Sequence, residues 1–133
     1  MSSKKVLIVE DHQPFAWALE LMVNADERLA VSGIAGDLAE AESAMRAFPA
    51  DLVITDVHLP SGSGLDLLAK LRDIHPTAKF LMFSMDDPKV VGPLAKAVGA
   101  SGYVQKGARP ETIMHAISSI LGGGESFQAS GCS

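Results

Sequence analysis

The 133-residue sequence predicts a single α/β domain in which helices cover both faces of a parallel sheet. Short apolar segments alternate five times with longer segments of helical periodicity, which is the pattern of a doubly wound sheet. The apolar segments contain few polar residues, as expected for strands that are buried on both faces. With 47% hydrophobic and 20% charged residues, the chain has the composition of a globular domain with one core.

Each predicted strand is a run of mostly apolar residues that ends at a polar residue or a glycine. The second run is the weakest and ends at Gly36, whereas the third ends at Asp56 and is followed closely by Pro60. Runs of four to seven residues suit strands better than helices. The predicted strands are residues 6–9, 29–35, 52–55, 79–84 and 102–105.

Each predicted helix carries apolar residues three or four positions apart and begins or ends at a recognised signal. Asp37 is expected to cap the second helix, and Asp11 or His12 the first, because short polar side chains satisfy the exposed N–H groups there. Proline fits the first helical turn, and proline or glycine ends a helix. The helices are predicted within residues 14–24, 38–48, 65–75, 88–98 and 110–121.

Charge and cysteine content exclude several classes of protein. The net charge is −5 and lysine and arginine form no cluster, so we expect no direct nucleic-acid binding by this segment. The single cysteine, Cys132, rules out a disulfide framework and fits a reducing, cytoplasmic location. The apolar run at residues 6–9 is too short for a signal peptide or a membrane span.

The predicted strand ends carry an unusual set of polar side chains. Glu10 and Asp11 follow the first strand, Asp56 follows the third, Ser84 ends the fourth and Lys106 follows the fifth. Open α/β sheets bind ligands at this edge, and clustered carboxylates repel each other unless a cation enters. Oxygen ligands suit Mg²⁺, and a metal, an ammonium and a hydroxyl around one carboxylate predict a phosphoryl site on Asp56.

The sequence resembles the receiver domain of bacterial two-component response regulators over about residues 4–121. The segments LIVEDHQPF and GASGYVQKGARPETIMHAI look most like the NarL/FixJ subgroup. The resemblance implies a flavodoxin-like (βα)5 fold with a five-stranded sheet in the order 2-1-3-4-5. The resemblance is based on the Glu10–Asp11 pair, Asp56 within DLVITDVHLP, Gly62, Gly64, Ser84, Tyr103 and Lys106.

The resemblance also implies what the acidic residues do. Asp56 accepts a phosphoryl group from the phosphohistidine of a histidine kinase. Asp11 and Asp56 bind Mg²⁺ directly, the backbone carbonyl of His58 completes the protein ligands, and Glu10 acts through water. The domain is then a phosphoacceptor with at most slow self-dephosphorylation, and not an enzyme in its own right.

The remaining implied roles concern the response to phosphorylation. Ser84 and Lys106 bind the phosphoryl oxygens, and Tyr103 changes position when Ser84 moves inward. The face formed by the fourth helix, the fifth strand and the fifth helix then recruits a second copy or an effector. Residues 1–121 are expected to be the receiver, and residues 122–133 a flexible tail or the start of a linker to a DNA-binding effector domain that controls transcription.

Two residues depart from the family pattern. Met85 follows Ser84 where the family usually has a small residue, so we expect it to narrow the phosphate site or alter the switch. Gly107 follows Lys106 where proline is common and the peptide is cis. Because a cis peptide before a residue other than proline costs about 2.5–4 kcal/mol, we expect a trans peptide here.

Three alternatives stay open at this stage. A pseudo-receiver that only docks to proteins is compatible with Met85. A phosphatase of the haloacid dehalogenase type also uses a strand-end aspartate with Mg²⁺, but it needs a second acid two residues later, where this chain has His58. A nucleotide-binding flavodoxin-like module would need a third glycine after Gly62 and Gly64, and that glycine is missing.

Overall fold

The computed structural model describes residues 3–127 and has one parallel sheet at its centre. Its strands lie in the order β2-β1-β3-β4-β5-β6, and every neighbouring pair is parallel. The strands are β1 (Lys4–Val9), β2 (Leu29–Ala35), β3 (Leu52–Thr55), β4 (Lys79–Ser84), β5 (Gly102–Gln105) and β6 (Ser126–Phe127).

Five helices cover the two faces of the sheet. They are α1 (Gln13–Asn24), α2 (Leu38–Ala47), α3 (Gly64–Ile74), α4 (Pro88–Val98) and α5 (Pro110–Leu121). Apolar residues of α1 and α5 pack in one core cluster, and those of α2, α3 and α4 pack in the other. Each helix therefore buries its apolar stripe against one side of the sheet.

Strand β1 shows why the strands appear apolar throughout in the sequence. Val6 and Ile8 belong to the cluster with α1 and α5, whereas Leu7 and Val9 belong to the opposite cluster. All four side chains are at most 2% exposed. Because successive residues of a strand point to opposite faces, a sheet covered on both sides needs apolar residues at every position.

The structure confirms the predicted fold class and corrects the number of strands. The strands predicted at 29–35, 52–55, 79–84 and 102–105 have these bounds, and the first begins two residues earlier than predicted. The predicted order of five strands holds, but β6 extends the sheet beside β5 within the segment expected to be a flexible tail. Strand β6 has only two residues and follows a glycine-rich segment, so no periodicity in the sequence predicts it. The rest of the predicted tail, residues 128–133 with Cys132, lies outside the described residues.

One of the two predicted helix caps is present. The Asp37 side chain accepts a hydrogen bond from the Glu40 backbone N–H at 2.9 Å, as expected at the start of α2. His12 occupies the capping position of α1 but makes no capping hydrogen bond, and the expected cap from Asp11 is also absent. Pro14 lies in the first turn and has no N–H, so one of the donors that a cap would satisfy does not exist.

The loop between β3 and α3 folds back over the end of β3. His58–Leu59 and Gly62–Ser63 form a small antiparallel ladder, and the Gly64 N–H donates to the Val57 carbonyl at 2.7 Å. A Cβ atom on Gly64 would lie 1.9 Å from the backbone carbonyl oxygen of Asp56, so only glycine fits. The loop is thereby held against Asp56.

No helix within residues 3–127 is long and apolar enough to cross a membrane.

We predict that Gly64→Ala lowers the free energy of unfolding by about 2 kcal/mol or more, because backbone must move to relieve the contact with Asp56. Gly92→Ala is the matched control, since nothing lies within 4 Å of the added Cβ and alanine favours a helix interior by about 1 kcal/mol. Urea unfolding followed by circular dichroism measures both. Equal stabilities of the two variants would contradict the tight approach.

Candidate functional site

The candidate site is a pocket at the carboxyl edge of the sheet, with a volume of about 310 Å³. Six of the eight site residues expected from the sequence line it, and Glu10 contacts Lys106 beside it. The pocket is lined by Asp11, His12, Phe15, Asp56, His58, Ser84, Met85 and Lys106. The alternation of strands and helices thus brings polar and charged side chains from four strand ends into one cavity.

Lys106 is the centre of the site. Its ammonium lies 2.6 Å from Asp56 Oδ2 and 2.7 Å from Glu10 Oε1. All three residues are buried, none being more than 6% exposed. The ammonium also lies 4.6 Å from the centre of the Phe15 ring, a distance at which cation and ring attract. Burying one cation with two anions leaves one net negative charge inside the protein.

The two carboxylates change the acidity of Lys106. Burial lowers the pKa of the ammonium, but the contacts with Asp56 and Glu10 outweigh burial, and the net pKa is raised above its usual value. Lys106 therefore stays positively charged at neutral pH. A permanent cation beside Asp56 suits the binding of an anion there.

Glu10 and Asp11 provide oxygen ligands next to this ion pair. Glu10 Oε2 accepts a hydrogen bond from the His12 backbone N–H at 3.0 Å. Glu10 Oε1 is buried and lies 2.7 Å from the Lys106 ammonium. One possible ligand atom each from Glu10, Asp11 and His12 lies within 4.8 Å of the others. A buried carboxylate beside an exposed one offers the oxygen ligands that Mg²⁺ prefers.

Asp56 follows β3 and is fixed through both of its oxygens. Oδ2 contacts Lys106, and Oδ1 accepts a hydrogen bond from the His58 backbone N–H at 3.1 Å. The Asp56 N–H donates to the Val9 carbonyl, which holds the residue level with the end of β1. The carboxylate is therefore oriented at the pocket wall, as a nucleophile requires.

Asp86 joins three site residues and was not predicted from the sequence. Its Oδ2 atom accepts a hydrogen bond from Ser84 Oγ at 2.7 Å and lies 2.7 Å from His58 Nε2. Its backbone carbonyl accepts a hydrogen bond from the Tyr103 hydroxyl. Only the backbone of His58 is expected to act from the sequence, whereas in the structure its exposed ring also joins this network.

Tyr103 is completely buried and points towards the loop after β4. Its hydroxyl donates to the Ser84 carbonyl at 3.2 Å as well as to the Asp86 carbonyl. Burial, followed by the negative charge of Asp86, raises the pKa of the phenol to about 12. Tyr103 therefore contacts the loop after β4 at both Ser84 and Asp86.

The two residues that depart from the family pattern lie at the rim. The Met85 side chain lines the pocket and is 66% exposed, so it does not fill the pocket. The Lys106–Gly107 peptide is trans, as predicted, because residues 3–127 contain no cis peptide. Gly107 has φ +93°, a conformation that favours glycine.

Phe15 packs against the core cluster of α1 and α5, and its ring also contacts the Lys106 ammonium, which helical periodicity alone does not predict. For Asp86 a signal exists in the sequence. Asp87 followed by Pro88 is a helix start, so Asp87 is the cap and the preceding aspartate is available for another contact. No pattern in the sequence shows which way that aspartate points.

Comparison with known proteins shows what the chain is similar to. Residues 6–118 match the family described as the response regulator receiver domain. The DNA-binding transcriptional activator DevR/DosR of Mycobacterium tuberculosis is 34% identical over 122 residues, and the oxygen regulatory protein NreC of Staphylococcus aureus is 29% identical over 121 residues. Each alignment covers 90% of this chain and 55% of the relative, so the chain spans about half the length of these curated relatives.

A solved structure supports the same similarity. The crystal structure of a LuxR-family two-component response regulator from Aurantimonas sp. SI85-9A1 aligns with a TM-score of 0.88 and 29% identity. The alignment covers 94% of this chain and 89% of that one. The similarity therefore extends over nearly all of the sheet and its helices.

We predict that Tyr103, the one tyrosine in the sequence, titrates near pH 12 in the folded protein and near its ordinary pKa of 10.0 when unfolded. Because folding raises this pKa, the neutral phenol stabilises the fold below pH 10, and this contribution is lost as the pH rises towards 12. The loss is on the order of 2–3 kcal/mol. Phenolate absorbance measures the titration, and circular dichroism at each pH verifies folding. A folded-state midpoint near 10 would contradict the buried position.

We predict that Asp11→Ala weakens Mg²⁺ binding by about tenfold or more, because it removes an oxygen ligand beside Glu10. In the absence of metal the variant should be slightly more stable, by roughly a few tenths of a kcal/mol, since repulsion between neighbouring carboxylates is relieved. Calorimetric titration with Mg²⁺ and urea unfolding measure the two effects. Asp73→Ala, which removes an exposed carboxylate from α3, is the control for Mg²⁺ affinity. Unchanged affinity in Asp11→Ala would remove Asp11 from the metal site.

Proposed function

The chain belongs to the response regulator receiver domain family, and we propose that it receives a phosphoryl group on Asp56 from a histidine kinase of a two-component system. The observation that carries the proposal is the buried ammonium of Lys106 against Asp56. It places a permanent positive charge where a phosphoryl group on Asp56 would need neutralisation. A receiver domain is a signalling domain. We propose that it catalyses at most the slow hydrolysis of its own phosphoryl group.

The proposed transfer is a displacement at phosphorus. A carboxylate oxygen of Asp56 forms a bond to phosphorus while the phosphorus–nitrogen bond of the kinase phosphohistidine breaks, and the imidazole nitrogen takes the electron pair. The His58 N–H holds one carboxylate oxygen in place during attack. Lys106 then pairs with the phosphoryl oxygens, which carry roughly −1.5 to −2 charge. The chain's own residues thus supply position and charge, which is what phosphoryl transfer mainly requires.

We propose that Asp11, Asp56, Glu10 through water and the backbone carbonyl of His58 hold Mg²⁺. The support is the cluster of possible ligand atoms from Glu10, Asp11 and His12, together with the carboxylates of Asp11 and Asp56 in the wall of one pocket. When bound, the ion would neutralise charge on the carboxylates and on the transferred group. His12 also lies in the acidic cluster, but its nitrogen is a poorer ligand for this metal than oxygen.

The proposed output is a change in the face made by α4, β5 and α5. Ser84 binds the phosphoryl group in this proposal, and its carbonyl already accepts the Tyr103 hydroxyl, so moving Ser84 moves a partner of Tyr103. Val90 and Leu94 on α4 are 60% and 53% exposed, which leaves apolar surface there for a partner. We propose that phosphorylation recruits a second copy or an effector to this face.

The proposal for the whole protein is control of transcription. DevR/DosR is described as a DNA-binding transcriptional activator, and this chain matches only 55% of its length. We propose that residues 1–121 are the receiver, that residues 122–133 lead towards an effector domain, and that DNA is bound by that domain in the cytoplasm. The net charge of −5 is consistent with no DNA binding by the receiver itself.

A docking module that is never phosphorylated is the second candidate. The observation in its favour is Met85, whose side chain stands at the rim where the family usually has a small residue. Because this side chain is mostly exposed, it leaves the pocket open, and phosphorylation remains the function that the geometry supports best.

We predict that acetyl phosphate with Mg²⁺ adds one phosphoryl group to the protein and none to Asp56→Asn, which keeps the shape of the side chain but removes the nucleophile. Intact-mass spectrometry measures the addition. Asp73→Asn is the matched control and should be modified like the wild type. Modification of Asp56→Asn at the wild-type rate would mean that the acceptor is another residue, and no modification of the wild type would favour the docking module.

A further inference from the structure

The Ser84 hydroxyl, which is proposed to bind a phosphoryl oxygen, makes a hydrogen bond to a different group in this structure. Ser84 is completely buried, and its hydroxyl donates to Asp86 Oδ2 at 2.7 Å. A serine hydroxyl has a single proton to donate. Because its contact with Asp86 Oδ2 is short, the hydroxyl cannot make an equally short bond to a phosphoryl oxygen at the same time. In this structure the Ser84 hydroxyl is therefore already bound to another acceptor, Asp86.

Asp86 is not needed for the helix that follows. Asp87 caps α4 by accepting a hydrogen bond from the Lys89 N–H at 2.9 Å. The Asp86 side chain instead reaches the loop after β3, where its Oδ2 atom lies 2.7 Å from His58 Nε2. Because the backbone of residue 58 contacts Asp56, the ring contact joins the loop after β3 to the loop after β4.

The backbone of Asp86 binds Tyr103. The Asp86 carbonyl accepts the Tyr103 hydroxyl, and the Gln105 side-chain amide lies 3.4 Å from that carbonyl. Residue 86 therefore contacts the hydroxyl of Ser84 through its side chain and the hydroxyl of Tyr103 through its backbone. Release of Ser84 from Asp86 removes one of the bonds that fix this loop.

We propose that Asp86 is a positioning residue that holds the Ser84 hydroxyl away from Asp56 until a phosphoryl group displaces it, with His58 supporting Asp86 in that position. The inference deepens the proposed function and rests on it. It assigns to this chain a built-in competition, in which the free energy of the Ser84–Asp86 hydrogen bond is lost each time the phosphoryl group is bound.

The test measures the affinity for beryllofluoride with Mg²⁺, a mimic of the phosphoryl group, by calorimetric titration. Asp86→Ala removes the competing acceptor, and we expect binding about five- to tenfold tighter than in the wild type, the range expected for losing one hydrogen bond. Asp86→Asn keeps an uncharged acceptor and should give a smaller gain. His58→Ala keeps the backbone of residue 58 and should also tighten binding, by less than Asp86→Ala.

Two controls separate competition for Ser84 from a general effect of charge. Glu27→Ala removes an exposed carboxylate from the turn before β2 and should leave the affinity unchanged. In a Ser84→Ala background, Asp86→Ala should change the affinity by less than twofold, because the competed proton no longer exists. If Asp86 merely repelled the anion, its removal would tighten binding equally in both backgrounds.

The outcomes distinguish the inference from the proposed function. If the wild type binds beryllofluoride and Asp86→Ala binds it equally or more weakly, the competition does not exist, although the phosphoacceptor function stands. If Asp86→Ala tightens binding to the same extent with and without Ser84, the positioning role is also overturned. If the wild type binds no beryllofluoride and takes no phosphoryl group from acetyl phosphate, the proposed function fails and this inference fails with it.

Discussion

The burial of Lys106 between Glu10 and Asp56 is the interaction on which the site depends. Removing one partner from a buried ion pair costs about 3–5 kcal/mol, because the remaining charge is left without compensation. The arrangement therefore requires the ends of three strands to stay aligned. Val9 pairs with Thr55 in the sheet, so the residues that follow them, Glu10 and Asp56, leave their strands at the same level.

The site carries more negative than positive charge. Glu10 and Asp56 contact the one ammonium, and Asp11 and Asp86 add two further carboxylates beside the same pocket. A divalent cation would offset part of this excess. A buried ion pair adds little to stability compared with apolar packing, so stability alone gives no reason for such a site at the end of an otherwise apolar core. The proposed transfer of a charged group would account for such a site.

Most of the fold was predictable because the strands are buried on both faces and the helices carry clear start and stop signals. The clustering of the residues that follow the strands was predictable from the fold, because the carboxyl ends of parallel strands meet at one edge of the sheet. The contacts of Asp86 and Phe15 were not, because they depend on the direction of side chains at a turn and on a helix. Strand β6 was missed because its pairing with Gly102 and Tyr103 is set by the distant strand and not by its own two residues.

Ser84 links the charge of the site to the position of the aromatic residue. Its carbonyl accepts hydrogen bonds from the Lys106 backbone N–H at 2.7 Å and from the Tyr103 hydroxyl, and its side chain donates to Asp86. Gly107, with φ +93°, turns the chain away directly after Lys106, a route closed to proline because its φ is fixed near −65°. Lys106 is thus held by residue 84 through the backbone and by the two carboxylates through its side chain. A displacement of Ser84, as in the proposed function, would therefore move a hydrogen-bond partner of both Lys106 and Tyr103.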